Sequence, residues 1–205
     1  MPLTNKDKII LHLCADVGSD SQPYQEAGYD VRCIGKTIGI ENYHPPENVY
    51  GIIANPPCTM FSIARTNAKT PRDLREGMRL VSECLRITWE CQYLTPLNKR
   101  AGLLKFWVIE NPGTGMLKYF LGKPNYTYSP HEFGADFTKR TALWGYFNPP
   151  MKPFWIRDIP KYSSVKDKMN LTNYKGTFAQ RRENQMHDRS RCYVGFAKAF
   201  FEVNQ

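Results

Sequence analysis

The 205-residue chain has no apolar run approaching the roughly 18 residues of a membrane span. The opening Met1-Pro2-Leu3-Thr4-Asn5-Lys6-Asp7-Lys8 lacks the apolar core of a signal peptide. Six cysteines are scattered along it with no Cys-x-x-Cys pair, and no histidine stands at ligand spacing, so neither a disulfide frame nor a metal site is expected. There is no internal repeat and no low-complexity tract. These absences point to a single cytoplasmic domain with reduced thiols, long enough to bury a core without staples.

What is present is an excess of positive charge: 28 Lys and Arg against 19 Asp and Glu, a net of +9. Residues 151–205 alone carry eleven basic and five acidic side chains. Such a surface suits a polyanion, because Lys and Arg neutralise phosphates and release their counterions; an ordinary solvated face is the alternative.

Short apolar runs at 9–13, 31–34, 51–54, 106–109 and 142–147, bounded by Gly, Pro, Asn or polar residues, read as buried strands. Between the third and fourth, Leu74, Met78, Leu85 and Trp89 form the apolar stripe of a long helix over 73–94. Strands alternating with helices predict a parallel sheet covered on both faces, with ligands at the carboxyl ends of its strands. The prolines at 149, 150, 153 and 160 mark a boundary. The expected organisation is therefore a core over 1–148, a basic segment over 149–189 and a terminal helix over 190–205 returning to the core.

One strand end stands out. In Gly51-Ile52-Ile53-Ala54-Asn55-Pro56-Pro57-Cys58-Thr59-Met60-Phe61-Ser62 two prolines force the chain out of the sheet and deliver a thiol on a stiff mount. That position suits a nucleophile, although most free cysteines are simply small buried hydrophobes. Asp16, Cys58 and Glu110 fall at three strand ends and outline one cleft.

Pro-Pro-Cys followed by Phe-Ser resembles the nucleophile loop of the cytosine-C5 DNA methyltransferases. Leu11 to Gly18, with Glu26 to Val31 after it, resembles that family's first strand and cofactor loop. Phe106 to Pro112 looks like its strand ending in Glu-Asn, Thr138-Lys139-Arg140-Thr141 like its Gln-Lys-Arg element, and Gly195 to Phe201 like its last helix. The resemblance implies an α/β, Rossmann-like S-adenosylmethionine-dependent methyltransferase fold, a mainly parallel sheet with helices on both faces. It implies Cys58 as the nucleophile adding to C6 of cytosine, Glu110 as the group at N3, and Arg140 as a contact to the pyrimidine oxygen or its phosphate. S-adenosylmethionine would rest on Cys14, Ala15, Asp16, Val17 and Gly18, with Glu41, Asn55 and Pro56 completing its site. DNA is the implied partner, held by Ser62, Lys139, Lys166, Lys168, Lys175, Arg181 and Arg182. The segment standing where the family carries its recognition domain is much reduced, as in a phage-borne or mobile-element enzyme.

The chain departs from the family pattern in several places. Asp16 and Ser19 stand where glycines are expected, Gly35-Lys36 where the ribose-binding acid belongs, Thr59 where Gln is common, and Ala142 replaces a second arginine. Three other readings follow. The enzyme acts on a free nucleotide or single strand, or the chain is an enzyme-derived nucleic-acid-binding protein without catalysis. The third is an amino-methyltransferase, suggested by Asn55-Pro56-Pro57, but Cys58 stands at that motif's aromatic position.

Overall fold

The computed structural model describes residues 4–15, 18–94, 104–153 and 160–205. In chain order they form β1 (Ile9–Leu13), α1 (Gln22–Glu26), β2 (Asp30–Ile34), β3 (Val49–Ala54), α2 (Leu74–Trp89), β4 (Phe106–Pro112), α3 (Lys118–Leu121), β5 (Tyr126–Tyr128), β6 (Thr141–Tyr146), α4 (Val165–Lys168), α5 (Phe178–Ser190) and α6 (Val194–Val203). The strands make one six-stranded sheet in the order β2-β1-β3-β4-β6-β5. β1 pairs in parallel with β2 and β3, and β3 with β4; β6 runs antiparallel to both of its neighbours, β4 and β5. The sheet is thus mixed, whereas a mainly parallel one was expected. β6 begins at the edge where the parallel strands end.

Alternation along the strands divides the core into two layers. Ile9, Leu11 and Leu13 of β1, Ile52 and Ala54 of β3 and Ile109 of β4 face Val81, Cys84 and Ile87 of α2. Ile10, Ile53, Phe106 and Val108 face Tyr24 of α1 and Phe196 and Phe200 of α6. Helices therefore cover both faces of the α/β sheet, an arrangement compatible with a Rossmann-like fold. α2 starts where Asp73 accepts a hydrogen bond from the Glu76 amide at 2.9 Å, an N-cap that its acidic side chain suits. It gives way to a π turn at Glu90–Leu94.

α6 is fastened to the core at both ends. The Phe196 ring stacks on Tyr128 with centroids 3.6 Å apart, and burying Phe196 and Phe200 contributes about 1.5–3 kcal/mol each. At its C-terminus Asn204 exchanges hydrogen bonds with the Asn148 backbone at 2.8 and 2.9 Å, and its carbonyl accepts from the Tyr24 hydroxyl at 3.3 Å. The basic segment before α6 contains α4 and α5, helices that the sequence reading did not expect. It docks through two backbone hydrogen bonds, Tyr162 N–H to the Asp136 carbonyl at 2.9 Å and Val165 N–H to the Thr138 carbonyl at 2.8 Å. Among the described residues no helix is long and apolar enough to cross a membrane.

Candidate functional site

β1 has β2 on one side and β3 on the other, so successive connections leave it in opposite directions. This opens a crevice outside the carboxyl ends of β1 and β3, the place where open α/β sheets collect ligands. The turn after β1, the loops after β3 and β4, and the segment leading into β6 all reach this edge.

Cys58 lies four residues beyond β3 and is half-buried. Its carbonyl accepts from the Phe61 and Ser62 amides at 3.0 and 2.8 Å, which closes a tight turn around the thiol, and Phe61 is fully buried beneath it. Asn111 donates from Nδ2 to the Pro56 carbonyl at 3.0 Å and so ties the thiol loop to β4. Because Ala54 pairs with Ile109, Asn55 comes level with Glu110. Burial pushes the Cys58 thiol above its ordinary value, and the Glu110 charge adds to this; Lys139 and Arg189 pull it back.

Glu110 shares the crevice with Asp20, Asn55, Tyr128, Lys139 and Cys192. Burial raises its pKa first, Lys139 opposes, and Asp20 raises it further, which favours a protonated carboxyl able to donate a hydrogen bond. The free volume here is no more than that of a single water molecule, because residues 190–193, from the end of α5 to the start of α6, close against the strand ends. The Cys192 amide holds that closure by donating to Ser19 Oγ at 2.9 Å. Arg140 stands differently: it is exposed, with its Cγ packed over Gly113. Lys139 is the cation of this pair that lines the crevice.

A buried polar cluster that the sequence reading missed lies beneath the floor. His12, in the middle of β1 and 2% exposed, holds Ser21 Oγ at 2.8 Å through Nδ1 and Asn55 Oδ1 at 3.1 Å through Nε2. Asn55 donates in turn towards Asp20 at 3.4 Å, and the same carboxylate lies 3.8 Å from His12. Since Asn55 Oδ1 only accepts, His12 Nε2 carries a proton. Burial lowers the His12 pKa while Asp20 opposes. The cluster fixes the orientation of Asn55 and Asp20, two walls of the crevice. The signal in the sequence was a histidine in an otherwise apolar strand.

The remaining candidates are distributed more widely. Cys14 occupies the left-handed region at φ 57°, Ala15 is buried, and Gly18 turns at φ 67°, while Asp16 and Val17 lie outside the described residues. A side chain at Gly18 would meet Cys33 Sγ at 3.4 Å. Two residues flanking the turn after β1 thus take positive φ. Glu41 is paired to Arg79, which also holds Glu76, on the outer surface of α2. Pro56 is buried and Ser62 half-buried beside the thiol turn. In the basic segment Lys168 pairs with Asp136, Lys175 and Arg182 are exposed, and Arg181 is half-buried; the Lys166 side chain lies outside the described residues. The structure thus brings Cys58, Glu110, Asn55 and Lys139 to one edge and leaves Glu41 away from it.

No family model matches the chain, and no curated protein is similar to it.

Proposed function

We propose that the protein is a Rossmann-like methyltransferase that methylates C5 of cytosine in DNA through a covalent adduct at Cys58. The observation that carries this reading is the Asn111–Pro56 hydrogen bond, which holds the Pro-Pro-Cys loop against the strand presenting Glu110. A nucleophile and a carboxyl group of raised pKa on neighbouring strand ends are what addition to a pyrimidine requires.

The Cys58 thiol loses its proton to solvent, helped by the positive charges of Lys139 and Arg189, and its sulfur bonds to C6. Glu110, whose pKa burial raises, gives a proton to N3, and the displaced electron pair makes C5 nucleophilic. The residues flanking the turn after β1, Cys14, Ala15 and Gly18, would hold S-adenosylmethionine, which would supply an electrophilic methyl group. Loss of the C5 proton to solvent water then returns the electron pair, the bond from Cys58 to C6 breaks, and N3 gives its proton back to Glu110. The positive φ at Cys14 and Gly18 supports a cofactor turn at this place; the carboxylate expected for its ribose is not supplied by Glu41, which Arg79 holds.

The test is a duplex carrying 5-fluorocytosine, whose C5 substituent does not leave as a proton. A stable protein–DNA adduct mapping to Cys58 by mass spectrometry is expected in the presence of S-adenosylmethionine and absent in Cys58→Ser. No adduct on any cytosine sequence would remove the covalent mechanism.

A second reading, an enzyme-derived nucleic-acid-binding protein without catalysis, is favoured by the narrow crevice and the captured Glu41. Calorimetric titration with S-adenosylhomocysteine separates the two, because only the enzyme binds it.

A further inference from the structure

The loops beside Cys58 combine two features. Residues 58–72, 113–125 and 138–140 contain seven Lys and Arg and no Asp or Glu. Arg65 donates to Thr70 Oγ1 at 2.7 Å and to the Pro71 carbonyl, and Arg72 to the Met60 carbonyl at 2.8 Å; these bonds shape the loop without neutralising its charge. In the basic segment and the strand edge beside it, by contrast, Lys168, Lys152 and Arg191 each stand against a carboxylate. The same loops also expose large apolar side chains: Tyr119 is 75% exposed, Ile63 61% and Phe120 45%.

α3 is locked to the thiol loop. The Met116 amide donates to the Phe61 carbonyl at 2.9 Å and the Phe120 ring meets Phe61 at 6.0 Å, while Leu117 is fully buried. One helical turn thus holds an exposed Tyr119, with the Lys118 ammonium 5.4 Å from its ring centre, on a rigid base beside the candidate nucleophile.

We propose that this rim binds single-stranded DNA, with bases stacking on Tyr119 and Phe120 and phosphates meeting Arg65, Arg72 and Lys118. Exposed rings among unneutralised cations match unpaired polynucleotide, whose base faces are open; in a duplex those faces are covered. The inference rests on the proposed function for its choice of polymer and narrows it to unpaired DNA.

The test is fluorescence anisotropy with a labelled 20-nucleotide thymidylate strand and with the same strand in duplex, over a range of salt. The single strand is expected to bind more tightly than the duplex. Tyr119→Ala should weaken single-strand binding by about 5- to 150-fold, the worth of one stacked base, and Tyr119→Phe should restore it. Arg65→Ala with Lys118→Ala should reduce the single-strand salt slope by about 1.4 units. Equal affinity for the duplex, or no effect of Tyr119→Ala, would overturn the proposal. So would a loss confined to Lys175→Ala with Arg182→Ala. Failure of the fluorocytosine adduct with these effects present would remove the chemistry and leave the rim standing; an adduct without them would do the reverse.

Discussion

Asn111 spans the two halves of the candidate site: fully buried, it donates to the Pro56 carbonyl at 3.0 Å, and its own Oδ1 has no partner among the described residues. Removing the amide leaves that carbonyl unpaired in the interior and frees the thiol loop from β4. Asn111→Ala should cost about 1–3 kcal/mol in urea unfolding. An unchanged midpoint would mean that the loop is held by its own turn.

The Cys58 thiol, raised by burial, should be alkylated by iodoacetamide with half-maximal rate above the ordinary thiol value of about 8.5. Lys139→Gln removes a charge that favours the thiolate, so the profile should move to still higher pH and the rate at pH 8 should fall severalfold. Peptide mapping separates Cys58 from the exposed Cys33. A profile unmoved by the Lys139 change would place that lysine outside the thiol's field.

Glu110→Gln keeps the shape of the side chain and removes its proton. Methyl transfer should drop by about 10²–10⁴-fold, the usual worth of a general acid. Stability should respond in the opposite sense. Glu110 has a folded-state pKa above the ordinary value, so the wild type loses stability as pH rises from about 4.3 through that raised pKa. The glutamine variant lacks this loss, and its advantage in thermal melts should grow over that interval. A constant difference at all pH values would show that Glu110 does not titrate there.

Gly145 crosses β4 at φ 145°, and a Cβ there would lie 2.1 Å from the Trp107 carbonyl oxygen. Backbone cannot yield as a side chain does, so Gly145→Ala should cost at least about 1–3 kcal/mol. A denaturation midpoint equal to the wild type would show that β6 can shift away.

Much of the sheet was legible because buried strands are apolar and punctuated. The reading found every strand except β5, whose three residues, Tyr126–Tyr128, are too few to show a period. α5 escaped because its thirteen residues are polar nearly all round, and it is specified instead by the Thr177–Gln180 capping box. The antiparallel course of β6 left no trace in its own apolar run, since direction depends on which neighbours it pairs with.

At the site, the motif residues Cys58 and Glu110 could be found because prolines and a strand end announce them. The resemblance assigns Arg140 to the reacting base and Lys139 to the DNA, whereas Lys139 lines the crevice and Arg140 is exposed; both precede β6 in irregular backbone, where no period tells which side chain turns inward. His12 was passed over because its partners, Ser21 and Asn55, are 9 and 43 positions away, a relationship that no local pattern contains.

The closure of residues 190–193 over Glu110 has a kinetic meaning. If a base is to reach Glu110, that segment has to move aside and the Cys192 amide has to leave Ser19, because the crevice has room for no more than one water molecule. Capture of a base would then be gated: the observed rate climbs with substrate concentration at first and levels off at the opening rate. Ser19→Ala, which removes the latch together with the 3.4 Å hydrogen bond from Ser19 Oγ to Asp20, should raise that plateau.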